Sequence, residues 1–310
     1  MVIFVTSSFA VGNYYPGVVH FKDGHNESYE SIVLPKSKYK ILSVSDAMKP
    51  KRKEMKDIHI ILSEIITAAK ECGQVMLSAD RNDIGIKDKA GKANFVTAYD
   101  CKIQELIQGK LKVILPEAEF FGEEEDCQID KNAEYIFVVD PIDGTTNFIK
   151  DYHMSCISIG LIRNGKRYLG VVYNPYLDET FSAIKGEGAF LNGKPIHVST
   201  EDMDNSILLF GSSPYNTELA KASFDLAYRY FEKCLDIRRS GSAAIDLCSV
   251  AAGRAEIYFE LILSPWDFAA GALIVEEAGG VVTNMDDGEV PCLEKSPVLA
   301  RNKKDNRIYG

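Results

Sequence analysis

Asp140 and Asp143 stand three residues apart in Val138-Val-Asp-Pro-Ile-Asp-Gly-Thr-Thr-Asn-Phe148, directly after the apolar run Tyr135-Ile-Phe-Val-Val139. Glu123-Glu-Glu-Asp126 follows Gly122, and Asp267 follows Trp266, so three acidic groups fall where periodic segments end. Ionised carboxylates gathered at strand ends raise one another's pKa unless cations neutralise them. Hard, oxygen-preferring cations suit such a set, Mg2+ above all. Two of them roughly 3.5–4 Å apart polarise a phosphoryl group and activate water. Pro141 fixes φ and removes a donor, which predicts that the strand ends there and the chain bends. Gly144 permits a close backbone approach, and Thr145-Thr146 open a predicted helix whose first N–H groups suit an anion such as phosphate.

Each piece alone has a plainer reading. A lone D-x-x-D-G is commonly an Asp-rich turn, and Glu123 to Asp126 reads as a solvated acidic loop. Asp267 lies three residues after Ser264, the spacing of a capping box. Gly186-x-Gly188 lacks the third glycine of a dinucleotide loop, and Gly91-Lys92 lacks the rest of a Walker motif. Co-occurrence of the acidic pieces, rather than any one of them, points to metal-assisted phosphoryl chemistry.

The elements that must position these groups are legible as periodicity. Ile58, Ile61, Leu62, Ile65, Ile66, Ala69, Cys72 and Val75 recur at helical spacing, and a second helix is predicted from Thr97 to about Leu115. Strands are predicted at 138–140, 155–163, 167–174, 179–184, 206–211, 255–260 and from Val281, with Arg163-Asn-Gly-Lys as a hairpin turn. Helices are predicted at 218–233, 241–252 and 264–278, the last two rich in small residues and stopped by glycines. Mixed helix–strand order with several hairpins implies a layered α/β or α+β enzyme fold rather than a plain Rossmann sheet. Residues 1 to about 46 hold short β-prone pieces, and Lys49-Pro-Lys-Arg-Lys-Glu forms a basic hinge. The expected organisation is an N-terminal extension over 1–50 and a catalytic domain over 51–310.

Composition narrows the classes. The chain has 310 residues, 46% of them hydrophobic, enough for a substantial core. Its 45 acidic and 35 basic residues leave a formal charge of -10, which argues against a general nucleic-acid binder. Seven scattered cysteines without C-x-x-C read as reduced thiols of a cytoplasmic protein, and five dispersed histidines disfavour zinc. No run approaches the ~18 apolar residues of a membrane span, and the start lacks the basic region of a signal peptide.

Gly122-Glu-Glu, Asp140-Pro-Ile-Asp-Gly-Thr-Thr-Asn-Phe148, Trp266-Asp-Phe-Ala-Ala-Gly271 and Glu277-Ala-Gly-Gly280, in that order, resemble the inositol monophosphatase family over roughly residues 57 to 300. The resemblance implies an alternating αβαβα sugar-phosphatase fold, commonly dimeric, that hydrolyses phosphate monoesters with two or three Mg2+ ions, with Mn2+ able to substitute and Li+ often inhibitory. It implies that Glu123, Asp140, the Ile142 carbonyl, Asp143 and Asp267 are metal ligands. Thr145 and Glu123 match the pair that activates water, and Asp100 the acid that holds the threonine. Gly144 and Thr145 would bind phosphate, while Asp143, Asp267, Gly241, Ser242, Ala243 and Glu260 would line the substrate pocket. Gly-Thr-Thr-Asn-Phe favours the inositol phosphatase branch. Fructose 1,6-bisphosphate, 3′,5′-bisphosphate nucleotide and histidinol phosphate hydrolases share this chemistry, and a catalytically silent metal or phosphate binder is the non-enzyme alternative.

Overall fold

A computed structural model describes residues 4–6, 14–20, 26–33, 56–80, 83–89, 95–124, 128–214 and 216–302. The chain divides into two compact units, Met1–Asp57 and Ile58–Gly310. In the first, strands β1 (Phe4–Thr6), β2 (Tyr14–His20) and β3 (Asn26–Val33) form an antiparallel sheet in sequence order. The β-prone piece at 39–42 and the basic hinge at 49–54 lie outside the described residues.

The second unit opens with α1 (Ile58–Leu77), whose buried stripe Ile61, Ile65, Ala68, Ala69, Cys72 and Met76 follows the helical period. Short strands β4 (Lys87–Asp88) and β5 (Phe95–Val96) pair with each other, and α2 (Ala98–Ile114) follows. Thr97 caps α2 through a capping box with Asp100. A seven-stranded sheet comes next, built from β6 (Glu119–Gly122), β7 (Tyr135–Asp143), β8 (Cys156–Arg163), β9 (Lys166–Asn174), β10 (Glu179–Ile184), β11 (Ala189–Leu191) and β12 (Lys194–Ile196). Its order is β12-β11-β10-β9-β8-β7-β6, antiparallel except where β6 runs parallel to β7. The one-turn helix α3 (Thr145–Ile149) sits between β7 and β8. Asn164 and Gly165, both at positive φ, make the predicted two-residue hairpin loop between β8 and β9.

The other sheet contains β13 (Ile207–Phe210), β14 (Asp236–Arg238), β15 (Ile257–Leu263), β16 (Val281–Thr283) and β17 (Ser296–Arg301), in the order β14-β13-β15-β17-β16. Helix α4 (Thr217–Phe231) covers its outer face. Helices α5 (Ala243–Ala251) and α6 (Pro265–Glu277) lie between the sheets and share the largest apolar cluster with both. With α1 and α2 packed on the far face of the seven-stranded sheet, the layers read αβαβα, as the resemblance implied.

The proline does not act as the predicted stop. Strand β7 does not end at Pro141 but runs to Asp143. Asp140 pairs with Ser158 and Asp143 with Cys156, so three steps on β7 match two on β8. Such a β-bulge is a place where a strand tolerates proline. The bulge turns both aspartates to the same end of the sheet.

Candidate active site

The described geometry gathers the acids at the end of β7. One oxygen each of Asp140, Asp143 and Asp267 lies within 4.8 Å of the others. Asp140 holds the bulge by accepting from the Ile142 N–H at 2.9 Å. Asp267, in the first turn of α6, accepts from the Ser264 N–H at 2.7 Å. The capping reading and the cluster reading of Asp267 are therefore both realised. Asp143 is held from across the molecule: its Oδ2 accepts from the Ser242 hydroxyl at 2.6 Å and from the Ala244 N–H at 2.7 Å, at the start of α5.

Burial pushes Asp140 well above the usual carboxylate range, and Glu123, Asp143 and Asp267 push it further. Asp267 is raised well above that range too, by burial and then by Glu123 and Asp143. Asp143 rises to about 6 through burial, opposed by the Ser242 and Ala244 donors. Three carboxyl groups that resist ionisation together fit a hard divalent cation, whose charge would reverse the balance.

Glu123 stands outside that three-residue set but lines the same cavity of about 370 Å³. Its N–H donates to the Val139 carbonyl at 3.2 Å, which ties the loop after β6 to β7. The Lys89 ammonium donates to Glu123 Oε1 at 3.1 Å and to Glu124 Oε1 at 2.6 Å. Burial opposes the Lys89 charge, yet Glu123 and Glu124 outweigh it and hold the ammonium above its usual range. A side-chain cation thus marks Glu123 as a cation-seeking position. Glu125 and Asp126 lie outside the described residues.

Gly144 adopts φ 90°, and a Cβ there would meet the Met154 carbonyl at 2.8 Å, so glycine is required where the chain turns into α3. Thr145 donates its hydroxyl to Asp100 Oδ1 at 3.2 Å. Asp100 is fully buried, and its other oxygen accepts from the Thr97 N–H at 2.7 Å and the Thr97 hydroxyl at 2.5 Å. Burial raises Asp100 to about 6 against those donors. Asn147 donates to the carbonyls of Met154 (2.7 Å) and Ser240 (2.9 Å), joining the α3 turn to the loop before α5.

All the anticipated pocket residues, Gly144, Thr145, Gly241, Ser242, Ala243 and Glu260, line the cavity. Glu260 Oε1 accepts from the Ser213 N–H at 3.0 Å and its hydroxyl at 3.1 Å, and Oε2 from the Tyr258 hydroxyl at 3.0 Å. Sequence reasoning missed the supports Ser213, Tyr258 and Asn147, the Lys89 contact, and the lining residues Arg239 and Asp246. Asn147 lies inside Gly-Thr-Thr-Asn-Phe148, Lys89 opens the polar Lys89-Ala-Gly-Lys-Ala-Asn-Phe95 segment, and Asp246 is an acid in an otherwise small and apolar helix; the others carry no local signal.

Two layered sheets alternating with three helical layers, and three carboxyl groups, two of them buried, converging beside the end of β7, define the architecture of a sugar phosphatase. The inositol monophosphatase family matches residues 57–309, and the chain belongs to it, as a phosphatase of that family. It is 41% identical over 233 residues to inositol monophosphatase 2 of Solanum lycopersicum, covering 72% of this chain and 87% of the relative. Nus factor SuhB of Escherichia coli K12 is 36% identical over 233 residues, covering 74% of this chain and 87% of that one. A solved IMPase/NADP phosphatase complexed with Mg2+ and phosphate superimposes with a TM-score of 0.72 at 26% identity, covering 80% of this chain and 92% of its own. Among the described residues no helix is long and apolar enough to cross a membrane.

Proposed function

We propose that this chain is a Mg2+-dependent phosphate monoester hydrolase acting on inositol monophosphate. The observation that carries the reading is the convergence of Asp140, Asp143 and Asp267 within 4.8 Å. The Thr145–Asp100 pair beside them supplies the water-handling side of the reaction. Asp140, Asp143, Asp267, Glu123 and the Ile142 carbonyl would hold the ions. Bound there, Mg2+ would supply charge neutralisation and a more acidic water.

The chain's own residues do the rest. Thr145 donates its proton to Asp100, so its oxygen faces the cavity as an acceptor and aligns a water. Glu123 takes that water's proton. The N–H groups of Gly144 and Thr145 hold the phosphoryl oxygens at the start of α3. Attack then proceeds in line: the water oxygen bonds to phosphorus as the ester P–O bond breaks, and the leaving alkoxide departs towards the Glu260 side of the cavity and takes a proton from water. Glu260, fixed by Ser213 and Tyr258, accepts from a substrate hydroxyl.

Phosphate release decides the matter. Turnover of myo-inositol 1-phosphate in Mg2+ should exceed turnover of fructose 1,6-bisphosphate, 3′-phosphoadenosine 5′-phosphate and histidinol phosphate. Mn2+ should support turnover as well, and Li+ should inhibit it. A folded protein that releases no phosphate from any of these would overturn the enzyme reading in favour of a silent metal or phosphate binder. A homodimer in the cytoplasm completes the proposal; light scattering at the single-chain mass would refute the dimer.

A further inference from the structure

The mechanism above leaves one buried acid on the cavity wall without a task. Asp246 lies in the first turn of α5, is 3% exposed, and lines the same cavity as Glu260. Its helix is otherwise Ala-Ala-Ile-Leu-Cys-Ser-Val-Ala, a sequence suited to the apolar layer between the sheets. A carboxyl in such a layer is costly unless donors reach it. Among the described residues the donors near it are few. The Ser240 hydroxyl lies beside it, and the Arg239 guanidinium acts on it through space. Ser240 also directs its hydroxyl at the Ser242 carbonyl at 3.1 Å, and its single proton serves one acceptor at a time.

Glu260 differs. Two donors from Ser213 and one from Tyr258 occupy most of the roughly four acceptor positions of a carboxylate. Of the two acids on this wall, Asp246 has the greater unfilled accepting capacity. Burial, and then the negative charge of Asp143 and Glu260, hold the Asp246 carboxyl well above its usual range, which disfavours an anionic substrate group at that point and favours a hydroxyl, which can pair with either form of the acid.

We infer that Asp246 is a specificity-determining residue that accepts a hydrogen bond from a ring hydroxyl, working with Glu260 to select phosphate monoesters of polyhydroxylated rings carrying adjacent hydroxyls. The inference rests on the phosphatase reading and deepens it. A buried acceptor built for a hydroxyl penalises substrates that lack one, because it is then left unpaired.

The test compares Asp246→Ala with the unmodified full chain on myo-inositol 1-phosphate, its ring-deoxy analogues, and p-nitrophenyl phosphate, all in Mg2+. For Asp246→Ala, which removes the acceptor, kcat/KM on inositol phosphate should fall about 10- to 100-fold, mainly through KM, with the aryl phosphate nearly unchanged. One deoxy analogue should be poor for the unmodified protein and lose nothing further in the variant. Equal losses on inositol and aryl phosphate, or no loss on either, would overturn the assignment. Asp246→Leu serves the same comparison should the alanine variant fold poorly, and melting curves report folding of both. Absence of turnover by the unmodified protein on both phosphates would instead overturn the phosphatase reading, so the two failures are distinguishable.

Discussion

Ser242 donates its hydroxyl to Oδ2 of Asp143, a member of the three-aspartate cluster. The same hydroxyl caps α5 by accepting from the Ile245 N–H at 3.3 Å. Ser242→Ala should therefore lower stability by about 1 kcal/mol, the usual worth of an N-cap. It should also weaken divalent-cation affinity roughly 10- to 100-fold, as loss of a ligand's orienting partner does. Calorimetric titration with Mg2+ and a melting curve measure the two effects separately. Asp143→Asn should abolish turnover while the fold survives, and near-normal activity would refute its role as a ligand.

Asp100 and Asp143 also make a pH prediction. Burial raises each from 3.8 to about 6, so the protonated form is favoured in the fold. Their contribution to stability is full below the unfolded value and is lost as pH rises through about 6. Each is worth about 3 kcal/mol over the two-unit shift. In chelator, these two groups should lower the melting temperature between about pH 4 and about pH 7. Mg2+ should reverse that fall, with a benefit that grows as pH rises. A cation benefit that shrinks with rising pH would contradict the reading of Asp143 as a buried ligand.

At the scale of elements, α6 lies against the seven-stranded sheet because both surfaces are small. Gly160 and Gly170 are register partners on β8 and β9. A Cβ at Gly170 would stand 2.8 Å from the Ala270 carbonyl oxygen, and one at Gly160 would stand 3.1 Å from Ala269 Cβ. Gly170→Ala should cost roughly 1–3 kcal/mol by overpacking. Because α6 carries Asp267 in its first turn, the same change should weaken cation binding. Thermal denaturation with and without Mg2+ checks both. Much of this was readable from sequence, because the small-residue run Ala269-Ala-Gly-Ala272 and the strand periodicities are local signals. The strand through Pro141 was not, since proline's local rule predicts a stop and only pairing with β8 reveals the bulge. The supports of Glu260 were also hidden. Ser213 is brought to it from 47 residues away by β13 and β15 lying side by side, and periodicity does not encode such a contact.

At the scale of the whole molecule, every residue assigned to the site lies between Lys89 and Asp267, inside the unit Ile58–Gly310 and inside the span matched by the family. That unit has three helical layers, two large sheets between them, the small β4-β5 pair and its own apolar clusters. The proposed ligands come from two adjoining layers: Asp140 and Asp143 from the seven-stranded sheet, and Asp267 from α6 in the middle helical layer. Cation binding should therefore stabilise this unit as a whole, by about 2.7 kcal/mol at a hundredfold excess over the dissociation constant. A chain begun at Met55 should fold, turn over inositol phosphate with the kcat/KM of the full chain, and gain the same Mg2+-dependent rise in melting temperature. Circular dichroism, phosphate release and melting curves on the two chains make the comparison. A shortened chain that aggregates, or that keeps its fold but loses turnover, would show that residues before α1 complete the catalytic unit and would refute their reading as an appended segment.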